Sequence, residues 1–492
     1  MQRTMITHQQ MNATLRALVS TWVLFNLTAL PLPAEEPYVQ WAIPGGGPLA
    51  VTREGELLVG GTGKFNPQGQ LVSSNSWTGC WANAIATDAQ GNQYWTGRVF
   101  ANGTFNYPVV QGFFVAKYGP TNNLLWVRNN ESTEDRFSTG SGAYTDGCGI
   151  CVDGNGNITV GGITKGSLKL GSFEADGESS VFFCKFDANG NLLWAKKAQS
   201  QHTNPLAEDL CGNVALDGSG NLIACGFLRE GSSDFGGTTV YPGTSGHSWG
   251  GDWFLAKYSP NGDLLWVTLD YGKSLAVDKQ GNIYVTFYWF KDGLQGIAKL
   301  NGNGALLWQK KNLPPMGGIT LDEQGRPVFF GSIIGTAQFD AITLRSRGAY
   351  DLVVAKADVD GNILWAIAGG GACHEGASAI CGPEGAVFLY VYTDNSDCEG
   401  SSPPLFDGIS ISASAEMLAK LTERPRLDIG SSVGGVQLSW PSKATNYVVE
   451  AATSLSASSW DTDTNAPTVI GRNRCLQLPA TGNAKFFRLR KP

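Results

Sequence analysis

Charge is scarce in this sequence. Asp, Glu, Lys and Arg make up 16% of its 492 residues, and acids outnumber bases 42 to 35, for a net charge of −7. Phosphate backbones are held by a basic field, so nucleic acid is excluded as a partner. The basic residues at the C-terminus, Arg488, Arg490 and Lys491, are too few to reverse the balance. Histidine is scarcer still, with four in the chain and none paired at His-x-His or His-x-x-x-His spacing, so no local metal-binding pair exists. The phosphate-cradling Gly-x-x-x-x-Gly-Lys-Ser/Thr loop is absent. No cofactor or metal is expected, and no set of residues stands out as catalytic. After the first 30 or so residues no apolar run is long enough to span a bilayer.

Glycine, tryptophan and β-formers dominate instead: 64 Gly, 15 Trp and 42% hydrophobic residues. That composition suits tight turns between short strands. The first 34 residues read as a secretory signal, with basic Arg3 and Arg16, a mostly apolar stretch from Ala17 to Leu30, and Ala34 before Glu35. The expectation is therefore a secreted, extracellular or cell-surface protein, with the periplasm as an alternative. All ten cysteines follow the signal, where disulfides are permitted. Cys211 and Cys225 flank one turn, and Cys373 and Cys398 the last hairpin; hairpin geometry nominates both pairs as bridges.

The strongest signal is an internal repeat. One phrase is a strand, an Asp-x-x-Gly-Asn turn and a second strand: Asp88 to Asn92, Asp153 to Asn157, Asp217 to Asn221 and Asp278 to Asn282. Weaker copies begin at Thr52, Asp322 and Pro383. Asp accepts the turn's backbone N–H groups, and Gly supplies positive φ where the hairpin closes. The four-residue loop offers too few oxygens at spaced positions for calcium. A second phrase is a strand ending in Ala-Lys, then a strand carrying Leu-Leu-Trp. Its lysines are Lys117, Lys257, Lys299 and Lys356, with Lys185 after a Cys, and its tryptophans Trp126, Trp194, Trp266, Trp308 and Trp365. These tryptophans read as packing residues.

Two phrases make four strands, which is one blade of a β-propeller. The last unit has Lys420 but no Leu-Leu-Trp strand after it. The mature N-terminus has it, because Trp41-Ala-Ile-Pro-Gly-Gly-Gly47 echoes Trp365-Ala-Ile-Ala-Gly-Gly-Gly371. The N-terminal strand should therefore close the ring. Seven blades are expected. The turns at 52, 88, 153, 217, 278, 322 and 383 lie 36, 65, 64, 61, 44 and 61 residues apart. The short first interval leaves six blades plus a hairpin as the alternative.

The wording Asp-x-x-Gly-Asn-x-Tyr-Val-Thr-Gly and Phe-x-Ala-Lys-Tyr-x-x-x-Gly-x-Leu-Leu-Trp resembles the bacterial SBBP repeats over residues 35–421. The resemblance implies a propeller in an exported or surface protein, and no defined activity. Composition changes after Leu421. Residues 422–492, with strands around Trp440, Tyr447 and Phe487, look like a reduced fibronectin type III sandwich.

Candidate binding residues lie where fourth strands lead to the next first strand and second strands to third. The insertion from Arg229 to Trp253 offers Tyr241, His247, Trp249, Asp252 and Trp253. Asp146, Asp209 and Glu375 each precede their unit's turn by seven or eight residues, which puts them near the inner-strand entrance of the channel. The functional expectation is a non-catalytic binding or scaffold protein presenting this face to an extracellular glycan or protein. The alternatives are a polysaccharide lyase or hydrolase with its site in the channel, and a structural spacer.

Overall fold

A computed structural model describes residues 37–490 except 45, 75–77, 105–110, 133–143, 205–206, 244–249, 270, 290–292, 348–349, 371–373, 395–404, 407–408, 411–415, 423–426, 433–434, 442–446, 455–458, 471–472 and 480–484. Seven four-stranded antiparallel sheets follow one another along the chain. Their innermost strands are Leu49–Val51, Thr78–Thr87, Tyr144–Val152, Leu210–Leu216, Ser274–Val277, Met316–Leu321 and His374–Cys381. Each innermost strand touches the next, and the seventh touches the first. The assembly is a β-propeller. We number the sheets as blades 1 to 7 in that order.

The short first interval is a complete but reduced blade. Its outer strands, Gly63–Phe65 and Leu71–Ser74, are three and four residues long. Blade 7 closes the ring as the repeat implies. Its fourth strand, Tyr38–Pro44, pairs antiparallel with Glu416–Thr422 at the other end of the propeller sequence, with Trp41 opposite Lys420 and Ile43 opposite Leu418.

Each Asp turn is built alike. Asp153 Oδ1 accepts the N–H groups of Asn155 and Asn157, both at 2.9 Å, and Oδ2 accepts Asn157 Nδ2 at 2.8 Å. The same set recurs at Asp88, Asp217 and Asp278. Oδ2 also faces the lysine of the third strand: Lys185 with Asp153 at 3.6 Å, Lys257 with Asp217 at 2.9 Å and Lys356 with Asp322 at 2.8 Å. The Asp and Lys of the repeat are thus partners within one blade.

The Leu-Leu-Trp strand has a second use. Lys and Trp stand directly opposite each other across the third and fourth strands: Lys117 and Trp126, Lys185 and Trp194, Lys257 and Trp266, Lys299 and Trp308. In blades 2, 4 and 5 both side chains reach the next blade. Trp126 Nε1 and Lys117 Nζ donate to the Ala188 carbonyl at 3.2 and 3.3 Å. Trp266 and Lys257 converge on Gly302, and Trp308 and Lys299 on Val359. Trp194 donates to Pro260 at 2.9 Å. Each carbonyl lies in the next blade's turn between third and fourth strands. The glycine of that turn has positive φ and lies under the indole: a Cβ on Gly190 would stand 3.0 Å from the Trp126 ring, and one on Gly262 2.8 Å from Trp194. The closing strand repeats the clasp, with Trp41 Nε1 and Lys420 Nζ on Pro67 of blade 1 at 3.0 and 3.2 Å.

The C-terminal residues form two further sheets. One carries Asp428–Ser432, Gly435–Pro441, Asn473–Pro479 and Thr468–Ile470, the other Asp461–Thr462, Val448–Ala452 and Phe486–Arg490. Leu438, Trp440, Val449 and Leu476 are their shared buried core.

Two outcomes follow. Trp41→Ala should lower unfolding free energy by about 3 kcal/mol, the usual cost of truncating a large packed aromatic, and calorimetry should show the loss. The carboxyls of Asp88, Asp153, Asp217 and Asp322 titrate below their ordinary value. At Asp217 burial acts upward, but hydrogen bonds from Asn221, Lys257 and the backbone outweigh it; Asp153 behaves likewise. A depressed folded-state value gives stability that is present above the unfolded pKa of 3.8 and is lost as pH falls through the folded one. Acid unfolding of Asp217→Asn should therefore be less steep than that of the wild type.

Candidate functional site

Among the described residues, the sequence-nominated side chains are not brought together as one group. Asp146 lies in blade 3's innermost strand, opposite Ile163, and its Oδ1 accepts Asn83 Nδ2 of blade 2 at 2.7 Å. Asp209 precedes the matching strand of blade 4 and is wholly buried. It accepts Ser200 Oγ at 2.7 Å, His202 Nε2 at 2.9 Å and the Arg229 N–H at 2.9 Å. Asp146 precedes its turn Asp153 by seven residues and Asp209 precedes Asp217 by eight, and the two are placed differently. Both strands carry one extra residue at the matching place, Cys148 between Gly147 and Gly149, and two residues against one between Cys211 and Val214, so the one-residue difference in distance from the turn survives and changes the face a side chain takes. Glu375 pairs with Thr393 in blade 7's first two strands. Its backbone alone is described.

The aromatic insertion divides similarly. Tyr241 is 63% exposed. Trp253 packs edge-on against Phe227, with ring centroids 5.1 Å apart. Asp252 is buried and caps the insertion by accepting the Gly243 N–H at 2.8 Å. His247 and Trp249 lie outside the described residues.

The nominated Cys211–Cys225 bridge is not formed. Cys373 and Cys398 lie outside the described residues. Cys211 and Cys225 are both free thiols. Cys211 stands directly opposite Gly226, so its chain neighbour Cys225 points to the other face. Cys225 packs with Leu275 and Val285 of blade 5, and Cys211 with Ile163 and Phe183 of blade 3.

The polar groups that do converge lie around Asp146. Arg98 of blade 2 stands over the Tyr144 ring at 5.3 Å and over Phe100 at 5.4 Å. Tyr144 donates its hydroxyl to Glu208 Oε2 at 3.1 Å, and Lys165 Nζ meets Glu208 Oε1 at 3.1 Å. Trp81 is directly opposite Arg98 in blade 2, so the two side chains share a face. Trp81 is 65% exposed and Phe100 42%. The sequence reading missed Trp81, Asn83 and Arg98.

Burial pushes the Asp146 carboxyl up to about 6, against the Arg98 charge and the Asn83 hydrogen bond. It thus changes between donor and acceptor in weakly acidic solution. The Ser200, Asp209 and His202 side chains do not make a nucleophilic triad. Asp209 stands between hydroxyl and ring and bonds each, so the ring is not placed as the serine's base. His202 also meets Glu178 through Nδ1 at 3.4 Å. One Gly-x-Ser-x-Gly string exists, at 430–434, but Ser432 ends a hairpin strand in the C-terminal sheets rather than a strand-to-helix elbow. Among the described residues no group of three or more potential ligands is arranged for a metal ion, and no helix is long and apolar enough to cross a membrane.

No family model matches the chain. A curated relative is an uncharacterized WD repeat-containing protein of Acanthamoeba polyphaga mimivirus, 24% identical over 193 residues, which is 32% of this chain and 13% of that protein. Similar solved structures include a protein of unknown function from Bacteroides caccae, at 11% identity and TM-score 0.35 over 66% of this chain and 93% of that one. A virginiamycin B lyase from Staphylococcus aureus has 10% identity and TM-score 0.35 over 79% and 98%. A Hadza microbial sialidase has 10% and 0.39 over 75% and 74%.

Two pH windows follow. Asp146's raised value gives stability that is fullest below the unfolded 3.8 and is lost as pH rises through about 6; Asp146→Asn should remove that decline in a thermal-shift series. At His202 burial opposes the charged ring, but the Asp209 hydrogen bond and charge, with Glu178, outweigh it and raise the value above 6.5. Its contribution is present below 6.5 and is lost as pH rises through the folded value. The stability gap between wild type and His202→Gln should therefore narrow on going from neutral to alkaline solution.

Proposed function

We propose that this is an exported, non-catalytic binding protein of the SBBP type that holds an extracellular glycan or protein on the loop-rich end of its propeller. The observation that carries the reading is the pairing of exposed Trp81 and Phe100 with Arg98, Asn83 and Asp146. A flat ring beside hydrogen-bonding groups of both kinds suits a hydroxylated ring ligand, with stacking on one face and hydrogen bonds at the edge. A glycan is thus the favoured ligand. Binding is favoured over hydrolysis because the neighbouring acids are already engaged, Asp209 by three donors and Glu208 by Tyr144 and Lys165.

The C-terminal sheets support a fibronectin type III-like spacer or adhesion module. In chain order their strands run 1-2-6-5 and 4-3-7, an A-B-E-D sheet facing a C′-C-F sheet of the kind seen in immunoglobulin-like sandwiches.

Glycan and protein arrays probed with the chain from Glu35 onward should identify the ligand. Trp81→Ala should then weaken binding at least roughly tenfold, about 1.4 kcal/mol, while leaving the melting temperature near wild type. Unchanged affinity in that variant would discard this site.

A further inference from the structure

Cys148 and Cys211 belong to neighbouring blades, and the local backbone is shaped to bring them together. Cys148 is the extra residue of blade 3's bulge, between Gly147 and Gly149. Cys211 is the last regularly paired residue before blade 4's own irregularity. Glycines clear the space between them. A Cβ on Gly161, the partner of Gly149, would lie 2.9 Å from Cys211 Sγ. A Cβ on Gly149 would lie 3.0 Å from the Gly212 carbonyl of the next blade. With no side chain at either position the two strands approach closely, and the Cys148 and Cys211 thiols share a hydrogen bond. Both pack against one hydrophobic cluster, whereas Cys225 belongs to another on the opposite face of blade 4.

We propose that Cys148 and Cys211 form an inter-blade disulfide by exchange with a disulfide oxidant, either a small molecule such as glutathione disulfide or a dithiol oxidoreductase in its oxidised form. The Cys148 thiolate attacks one sulfur of the oxidant and expels a thiolate. Cys211 gives up its proton and attacks the Cys148 sulfur, expelling the second thiolate. The two cysteines together lose two protons and two electrons, and the oxidant's S–S bond takes them up to become two thiols. The hydrogen bond and the buried surroundings raise the Cys211 thiol well above its ordinary value. That keeps it protonated until Cys148 has reacted, so the order of attack is set by the site. The bridge would pin the bulge two residues after Asp146, whose carbonyl the Cys148 thiol already faces at 3.9 Å.

The experiment is disulfide mapping of the full chain equilibrated in glutathione buffers of graded poise, quenched with acid, unfolded and alkylated. The expected result is one cross-linked peptide joining Cys148 to Cys211, with loss of both alkylation sites, while Cys184 and Cys225 stay alkylated at every poise. Cys211→Ser should leave Cys148 as a mixed disulfide with glutathione, because the second attack has no nucleophile. Cys148→Ser should leave Cys211 fully alkylated. If either variant fails to fold, the wild-type map decides alone. Full alkylation of both residues at the most oxidising poise would overturn the proposal, and so would Cys211 joined to Cys225 or Cys148 joined to Cys151.

Discussion

The propeller depends on one repeated contact, in which a lysine and a tryptophan of one blade grasp a turn carbonyl of the next. The pair is set by register: Lys and Trp face each other across the third and fourth strands of blades 2 to 6, and across the closing strand of blade 7. A backbone carbonyl has two lone pairs and accepts both donors. Indole packing over the turn glycine adds apolar contact to the hydrogen bonds. Within a blade the strands are already paired, so such contacts matter most where one sheet meets the next. Lys257 and Lys299, which reach the next blade, also meet their own blade's turn aspartates, Asp217 at 2.9 Å and Asp278 at 3.9 Å. First turn, third strand and neighbouring blade are thereby tied through single side chains, an arrangement expected of quasi-linear repeats whose stability comes from nearest-neighbour interfaces.

Much of this was legible in the sequence, because turn chemistry and alternation are local. The Asp-x-x-Gly-Asn phrase fixes a hairpin by itself, and the echo between Trp41 and Trp365 shows which strand completes the ring. The reduced first blade was left open since its outer strands, of three and four residues, carry no Leu-Leu-Trp. Less legible was why Lys accompanies Trp, because their common acceptor lies in the next blade, 36 to 62 residues on from the Trp. Trp126, for example, meets Ala188 across 62 residues.

The site was harder to read for a specific reason. Inner strands of blades 2, 3 and 4 are bulged at corresponding places, which inverts the face of the residues that precede the bulge. Grouping Asp146, seven residues before its turn, with Asp209, eight before, overlooked the alternation of faces: one contacts the preceding blade and the other is enclosed by Ser200, His202 and Arg229. The same irregularity separates Cys211 from Cys225 and brings Cys211 to Cys148. Bulges are where these near-identical blades become individual, and the residues that differ from the repeat gather there. Trp81 and Asn83 belong to that set, which is why the repeat gave no hint of them.

The closing strand also sets an order of events. Gln40 meets Thr422 across 382 residues, so the segment made first finds its hydrogen-bonding partner among the last to emerge. Until then the Tyr38–Pro44 segment is a bare edge, able to pair with any other open strand nearby. Leaving a ribosome or a translocation channel, the chain must keep that segment unpaired while six sheets assemble. Quality control of this protein would thus act at a single late moment, when the two ends of the ring meet.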